Sequence, residues 1–332
     1  MQTVVPALTR LRGQTSGPAH WPSTTLHDAS DFFTALQRRS TAAGGQAGFC
    51  YGFRNFWLLG LEWFRQDEAK FRKTMYFGKK IVVVMPAYNA ARTVTQTVDE
   101  VRQQGIVDEI ILVDDRSRDD TVKVASSLPG VRVHVHERNT GYGGNQKTCY
   151  RLALEAGADV VIMVHPDYQY TPKLIPAMAS IIANGLHPCV LASRILGGYS
   201  LRGGMPAWKY IANRFLTLAE NILLGAKLSE YHTGYRAFSR EILERLDWAS
   251  NSDDFVFDNQ MLAQILWHGF TIAEVSCPTK YFKEASSINF RRSVKYGFGC
   301  LAIGLSYRLA KMGLRQPRLF SSMPQRGAIS SG

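Results

Sequence analysis

The stretch VVIMVHPDYQYTP, residues Val160–Pro172, decides the fold of this chain. Its first five residues are all apolar and predict a short strand buried on both faces, as strands of parallel sheets are. His165, Asp167 and Gln169 follow at once, at the position where open α/β sheets bind their ligands. The same residues also fit a plain turn in which Asp167 caps the next helix. On this stretch alone both interpretations stay open.

Strands and helices alternate on both sides of this stretch. The predicted strands cover 81–85, 109–113, 131–135, 160–164, 189–192 and 271–278, and the predicted helices cover 91–104, 121–127, 145–156, 173–184 and 206–224. This alternation predicts an α/β, Rossmann-like fold, a mostly parallel sheet with helices on both faces. Right-handed crossovers place the carboxyl ends of the strands on one side. Four polar clusters should therefore converge there: Pro86–Asn89, Asp114–Asp119, Asn139–Asn145 and His165–Gln169.

The first three clusters also fit ordinary local structure. Pro86–Asn89 can hold an anion or a base at a helix start, or form a plain turn. Asp114 and Asp115 can accept from ribose hydroxyls or a base N–H, or belong to a helix cap. The run NTGYGGN suits a close approach of backbone to phosphate, but it matches neither GxGxxG nor GxxxxGK[ST]. The convergence of the clusters, more than any one of them, predicts a ligand site.

Composition restricts the class of protein. Lys and Arg number 39 against 27 Asp and Glu, a net charge of +12, which favours anionic partners or has no specific meaning. No recognisable nucleic-acid motif occurs, so we expect no nucleic acid. Five scattered cysteines indicate a reducing compartment, with neither a zinc site nor a disulfide framework. No apolar run reaches the roughly 18 residues of a spanning helix, so we expect a cytoplasmic protein with peripheral membrane contact.

Three regions are predicted. Residues 1–74 are rich in Ser, Thr, Gly and Arg and are predicted to be a poorly ordered extension; a disordered leader, a targeting peptide and an upstream extension all fit it. Residues 75–295 hold the alternating pattern, and 296–332 are predicted to be a helical, basic tail. In the last third, the basic residues at 280–296 alternate with aromatic ones, as on an anionic lipid surface or on a solvated face.

Five motifs carry a family resemblance. In chain order they are PAYN, VDDRSRDDT, NTGYGGN, HPDYQYTP and HTGYR, spread over about 80–292. Their order and spacing resemble family 2 glycosyltransferases with the GT-A fold, and most closely the dolichol-phosphate mannosyltransferases and related polyprenyl-phosphate glycosyltransferases. The resemblance implies an inverting transfer of a sugar from a GDP- or UDP-sugar to a polyprenyl phosphate. The alternatives are a soluble or saccharide acceptor, or a non-catalytic nucleotide-sugar-binding protein.

The resemblance also implies site residues. The nucleotide-sugar pocket would be lined by Pro86, Tyr88, Asn89, Asp114, Asp115, Gly141 and Gly144. The family motif Asp-x-Asp-x-Gln, which binds Mg²⁺ or Mn²⁺, falls on His165, Asp167 and Gln169, with His165 replacing the first acid. An acceptor phosphate would meet Arg194, Arg236 and Lys209. The catalytic residues would be Asp167, Glu230, Asp258 and Arg236, where Glu230 and Asp258 are the candidate bases for a hydroxyl acceptor.

The predicted helix at 206–224 carries an apolar stripe. Its members are Ile211, Phe215, Leu218, Ile222 and Leu223, which recur at helical spacing. This pattern predicts a helix packed on the core, and membrane contact is the alternative interpretation.

Overall fold

The computed structural model of the chain describes residues 75–278 and 290–320. The predicted extension at 1–74, most of the basic segment at 280–296 and the last residues, 321–332, lie outside this part. All described residues fall in one compact unit, Arg72–Gly332.

Seven strands and eight α-helices form the described part. The strands are β1 (Ile81–Ala87), β2 (Glu109–Asp114), β3 (Val131–Val135), β4 (Val160–Met163), β5 (Cys189–Ser193), β6 (Arg236–Ser239) and β7 (Ile272–Ser276). The helices are α1 (Val94–Gln103), α2 (Thr121–Ser127), α3 (Gly141–Glu155), α4 (Ile175–Ala183), α5 (Ala207–Leu224), α6 (Arg240–Arg245), α7 (Phe257–Trp267) and α8 (Phe290–Lys311).

The strands form one mixed sheet in the order β3-β2-β1-β4-β6-β5-β7. Every neighbouring pair is parallel except the two that β6 makes with β4 and β5. The prediction of a mostly parallel sheet with helices is therefore confirmed. β6 was not predicted, because its four residues are too few to show a period.

Two apolar layers cover the two faces of the sheet. Alternate residues of β1 point to opposite layers, so Val82 and Val84 join one and Ile81 and Val83 join the other. All seven residues of β1 are buried. This double burial is the reason why β1 and β4 read as continuous apolar runs in the sequence.

Helix α8 crosses the predicted domain boundary at 295–296. It packs against α5 and α7, and Tyr307 and Ala310 join the same core layer as β1. The region predicted as a helical, basic tail from residue 296 is helical as far as Lys311, and this helix begins before the predicted boundary and packs on the core of the preceding region. Among the described residues, no helix combines the length and apolar character needed to span a bilayer.

Candidate functional site

Hydrogen bonds join the loops that follow β1 and β2. Asn89 adopts a left-handed backbone conformation, with φ of 53°, and its Oδ1 accepts from Arg118 N at 2.8 Å. In the other direction, Asn89 N donates to Ser117 Oγ at 2.8 Å. Asn tolerates this conformation better than most residues, which explains its place in the turn. Tyr88 beside it is half exposed and lies open to a ligand.

The two buried aspartates order these loops. Asp114 accepts from both the N–H and the hydroxyl of Ser117. Asp115 accepts from Thr140 N at 2.7 Å, from Gly141 N at 3.0 Å and from the Thr140 hydroxyl at 2.8 Å. The carboxylates therefore fasten the loop after β2 to itself and to the start of α3. Their direct contact with a nucleotide stays a prediction.

The glycines that open α3 face protein backbone. Gly143 N donates to Asp253 O at 2.8 Å, and a Cβ on Gly143 would lie 2.4 Å from Ser252 O. A Cβ on Gly141 would lie 2.7 Å from Asp253 O. These glycines therefore admit the 252–253 loop, whose Asp253 carbonyl caps the helix, and their approach to a phosphate stays a prediction. This cap also explains why α3 begins four residues before the predicted start at 145.

The predicted metal motif forms a tight turn after β4. Tyr168 has φ of 57°, and Asp167 Oδ1 accepts from Gln169 N at 3.2 Å. Within residues 75–278 and 290–320, the Asp167 carboxylate has no other hydrogen bond. His165, Asp167 and Gln169 are all half buried. The turn therefore places three potential ligand side chains next to one another, with one carboxylate oxygen available.

The surroundings of His165 favour its neutral form. Burial lowers its pKa, and the nearby carboxylates of Asp167 and Asp258 offset this only in part. The ring stacks on Tyr142, with centroids 5.7 Å apart. A Cβ on Gly234 would lie 2.6 Å from His165 Nε2, so the glycine of the HTGYR motif makes room for the ring.

A hydrogen-bonded chain connects the turn to Asp258. The Tyr142 hydroxyl donates to Asp258 Oδ2 at 2.9 Å and lies 3.4 Å from His165 Nε2. Gln146 Nε2 donates to Asp258 Oδ1 at 3.1 Å. Asp258 is buried and both its oxygens already accept, so the structure favours a positioning role for it over that of a base. Sequence reasoning missed Tyr142, whose role depends on a contact between distant segments.

Arg236 is an interior residue. Its guanidinium donates to the carbonyl oxygens of Thr233, Tyr231 and Asp258 at 2.7–2.9 Å, and it lies 3.5 Å from Asp258 Oδ2. Only 1% of the residue is exposed. The guanidinium is therefore held by protein groups in this arrangement, and the binding of an acceptor phosphate by Arg236 stays a prediction.

Glu230 forms a buried ion pair with Arg194. Arg194 Nε and N each donate to it at 2.8 Å, and Asn213 Nδ2 donates at 2.9 Å. Burial alone would raise the pKa of Glu230, but the charge and hydrogen bonds of Arg194 outweigh it and lower the pKa. A fully buried carboxylate with a lowered pKa is a poor proton acceptor, so the structure gives no support to Glu230 as a general base, and that role stays a prediction.

Lys209 lies close to Arg194 at the start of α5. Burial and then the charge of Arg194 lower the pKa of Lys209. Its ammonium also lies over the Trp208 ring, 5.5 Å from the centroid.

The apolar stripe of α5 is exposed. Its residues Ile211, Phe215, Leu218 and Ile222 keep between 59% and 67% of their surface accessible, and Trp208 extends the same face. Only Leu223 is partly covered; it packs against Gly304 of α8. The prediction that this stripe packs on the core is wrong, because the opposite face of α5, with Asn213, Thr217 and Glu220, is the buried one.

The contacts confirm that the four predicted clusters converge. The loop after β1 bonds to the loop after β2, which bonds to the start of α3, which meets the turn after β4. The result is one polar edge that includes the turn with Asp167, as parallel topology predicts.

Comparisons with known proteins agree with this geometry. Residues 82–247 match the family described as glycosyl transferase family 2. The chain is 28% identical over 219 residues to a UDP-N-acetylglucosamine–dolichyl-phosphate N-acetylglucosaminyltransferase of Methanococcus voltae, covering 61% of this chain and 86% of the relative. It is 26% identical over 216 residues to the polyprenol monophosphomannose synthase of Mycolicibacterium smegmatis, covering 63% and 79%.

Solved structures show the same fold. Glucosyl-3-phosphoglycerate synthase of Mycobacterium tuberculosis in complex with UDP superposes with a TM-score of 0.55 at 22% identity, covering 72% of this chain and 82% of that one. Its complex with Mn²⁺, UDP and glucosyl-3-phosphoglycerate gives a TM-score of 0.53. The fold is the Rossmann-like GT-A fold. The family match, the convergent loops and the named relatives lead to one conclusion: the chain belongs to glycosyl transferase family 2 and is a glycosyltransferase.

Proposed function

We propose that the protein transfers a sugar from a nucleotide-diphosphate sugar to a polyprenyl phosphate at a membrane surface. The observation that carries the proposal is the exposed apolar face of α5, next to Lys209 at the start of that helix, where the charge of Arg194 is close enough to lower the pKa of Lys209. A phosphate between these cations would have its hydrocarbon chain beside that face. The same interface would give the protein peripheral contact with the membrane.

The charge around α5 supports this contact. Three exposed basic residues lie on or next to helices α5 and α8, which pack together: Arg202, Arg214 and Arg291. An apolar face flanked by basic residues binds the interface of an anionic bilayer through buried area and charge together. Phe298 of α8 is 70% exposed and enlarges the apolar surface.

The turn after β4 fits a divalent metal. It offers one carboxylate oxygen of Asp167, the amide of Gln169 and a neutral imidazole, His165; Mn²⁺ accepts this mixed set more readily than Mg²⁺, which prefers oxygen. When bound, such an ion would stabilise the charge that develops on the departing diphosphate. Asp167 supplies the anionic ligand, and Tyr142 holds the His165 ring beside it by stacking.

Both candidate bases are enclosed, which supports an acceptor that needs none. Glu230 is paired with Arg194, and Asp258 accepts from Tyr142 and Gln146. A phosphate monoester is already an anion near neutral pH, so it can attack the anomeric carbon without losing a proton to the protein. A single displacement from the face opposite the diphosphate inverts that carbon. Arg194 and Lys209 would hold the attacking phosphate in place.

The names of the relatives support the same acceptor class. The relatives from Methanococcus voltae and Mycolicibacterium smegmatis are named for dolichyl phosphate and for a polyprenol monophosphate sugar. The first of these names also contains a UDP-sugar, so UDP-sugars are the first donors to test and GDP-sugars the second.

A partition assay tests the proposal. Purified protein receives a radiolabelled nucleotide sugar, Mn²⁺ and vesicles with polyprenyl phosphate, and the products are extracted into organic solvent. We expect label in the organic phase, and none with Asp167→Asn. Label that appears only in water-soluble sugar products would favour the soluble or saccharide acceptor. Donor binding without any transfer, across several donors and both acceptor types, would favour a non-catalytic binding protein.

A further inference from the structure

A second cluster of potential metal ligands lies in the interior, apart from the turn after β4. It consists of Glu220 on α5, His232 in the loop before β6 and Cys300 on α8. One ligand atom from each lies within 4.8 Å of the others. Glu220 and Cys300 are buried, and only 9% of the His232 side chain is exposed.

Two atoms of this cluster lack the hydrogen bonds that buried polar atoms normally make. Glu220 Oε2 and His232 Nε2 have no hydrogen-bond partner within the described residues, although the two atoms lie 3.2 Å apart. Leaving a buried polar atom unsatisfied costs about 1–3 kcal/mol. Two such atoms that face each other therefore indicate a missing cation between them.

The neighbouring hydrogen bonds fix the proton on His232. Asn259 Nδ2 donates to Glu220 Oε1 at 2.6 Å, so Asn259 Oδ1 points the other way and accepts from the Tyr296 hydroxyl at 2.5 Å. That hydroxyl, its proton committed, can only accept from His232 Nδ1, which lies 3.0 Å away. A neutral His232 then carries a lone pair on Nε2, directed at a carboxylate oxygen.

Two acceptors at this distance need a proton or a metal ion between them. A proton would make His232 an imidazolium that donates to Glu220, but the geometry of the pair does not satisfy either atom. A metal ion needs no hydrogen-bond angle. Two ligands about 2.1 Å from a tetrahedral ion lie roughly 3.4 Å apart, close to the observed 3.2 Å.

We propose that Glu220, His232 and Cys300 bind a Zn²⁺ ion, with the fourth position of the tetrahedral ion left to a water molecule. Thiolate, imidazole and carboxylate together are the ligand set of zinc, whereas Mg²⁺ and Ca²⁺ prefer oxygen alone. Asn259 and Tyr296 are the outer partners that orient the carboxylate and the imidazole, as such groups do around known metal ligands.

The site would join three elements that define the acceptor side. Glu220 belongs to α5, Cys300 to α8, and His232 to the HTGYR motif in front of β6. The ion would thus fasten the exposed apolar helix and its neighbour to the catalytic edge. The ligands are separated by up to 80 positions in the chain, which is why the cysteine spacing gave no sign of them.

Metal content tests the proposal directly. The protein is produced with zinc in the medium, purified without chelator, and analysed by mass spectrometry for bound metals. We expect close to one zinc per chain, a large loss of zinc in Cys300→Ser and in Glu220→Gln, and full zinc content in the matched control Cys189→Ser, which alters a buried cysteine of β5. Asp167→Asn should also retain its zinc, because the two metal sites are separate.

A second measurement covers the case in which the ligand variants fail to fold. Wild-type protein grown with cobalt in place of zinc should show the near-ultraviolet charge-transfer band of a thiolate bound to Co²⁺. A strong chelator should lower the melting temperature of the zinc-loaded wild-type protein, and added zinc should restore that temperature. Wild-type protein that carries no zinc and shows no thiolate band with cobalt would overturn the proposal and leave the imidazolium–carboxylate pair.

Discussion

The exposed face of α5 gives a prediction with a magnitude. We expect the double substitution Phe215→Ser/Ile222→Ser to weaken binding to vesicles. Each residue exposes 64% of its surface, and full burial of such a side chain contributes about 1.5–3 kcal/mol. If the membrane covers the exposed fraction, each residue contributes about 1–2 kcal/mol, or about 2–4 kcal/mol together, which is roughly 30- to 900-fold in affinity.

The fold should not change, because substitutions at exposed positions usually alter the free energy of unfolding by about 0.5 kcal/mol or less. The assay is sedimentation with vesicles that contain an anionic lipid, together with thermal melting of each variant. The matched control is Phe77→Ser/Leu186→Ser. These residues expose 59% and 67% but precede β1 and β5, at the opposite edge of the sheet.

The comparison of the two double variants decides the outcome. We expect the α5 variant to stay in the supernatant and the control to sediment like wild type. Equal sedimentation of both variants would refute the reasoning, and so would wild-type protein that does not sediment with the vesicles.

Four further predictions follow from the site. Asp167→Asn should lower transfer at least about 100-fold with an unchanged melting temperature, because it removes the charge that the metal needs; turnover near wild type would contradict the metal assignment. His165→Asp, which restores the acid of the family motif, should raise activity with Mg²⁺ relative to Mn²⁺; an unchanged metal ratio would count against His165 as a ligand. Gly143→Ala should destabilise the fold by about 1–3 kcal/mol in urea unfolding, because its Cβ meets Ser252 O, while Gly297→Ala, which meets only ordinary contacts, should not. The folded pKa of Glu230 is lowered, so its ion pair contributes stability above the unfolded pKa of about 4.3, and this stability is lost as the pH falls through the folded pKa. Glu230→Gln should therefore be less stable than wild type at pH 7 and lose less stability in acid. An equal loss of unfolding free energy between pH 7 and acid pH in both proteins would contradict this.

The sequence predicted the sheet well for a physical reason. Strands such as β1 are covered on both faces, so they must be apolar throughout, and their loops must carry the polar residues. The convergence of the four clusters then follows from parallel topology alone. For the same reason the position of Asp167 directly after β4 could be predicted without coordinates, while its role stays a prediction.

The apolar stripe of α5 shows where pattern reasoning fails. Ile211 and Phe215 recur at helical spacing whether the partner is a protein core or a membrane. The residues that settle the matter are on the other face: Asn213 and Glu220 look like solvated residues in the sequence, yet both are buried. A buried polar face is visible only when its partners, Glu230 and Asn259, are known.

Arg236 and Glu230 show a second limit. Charged residues in a family motif suggest contact with substrate, but burial decides whether they can reach it. Arg236 starts the short strand β6 and donates to three carbonyls around it, and no sequence pattern predicts such a partner set. The glycines of α3 show the same limit of sequence patterns, because the segment that they lie against is the distant loop at 252–253.

The acceptor is the central claim, and one competition measures it. Vesicles of identical composition receive either polyprenyl phosphate or the free polyprenol of the same chain length, with the same labelled donor and Mn²⁺. The enclosure of Glu230 and Asp258 predicts label only on the phosphate, because both candidate bases are buried and already accept hydrogen bonds, which leaves neither of them free to deprotonate an alcohol. Transfer to the free polyprenol at a comparable rate would contradict the account.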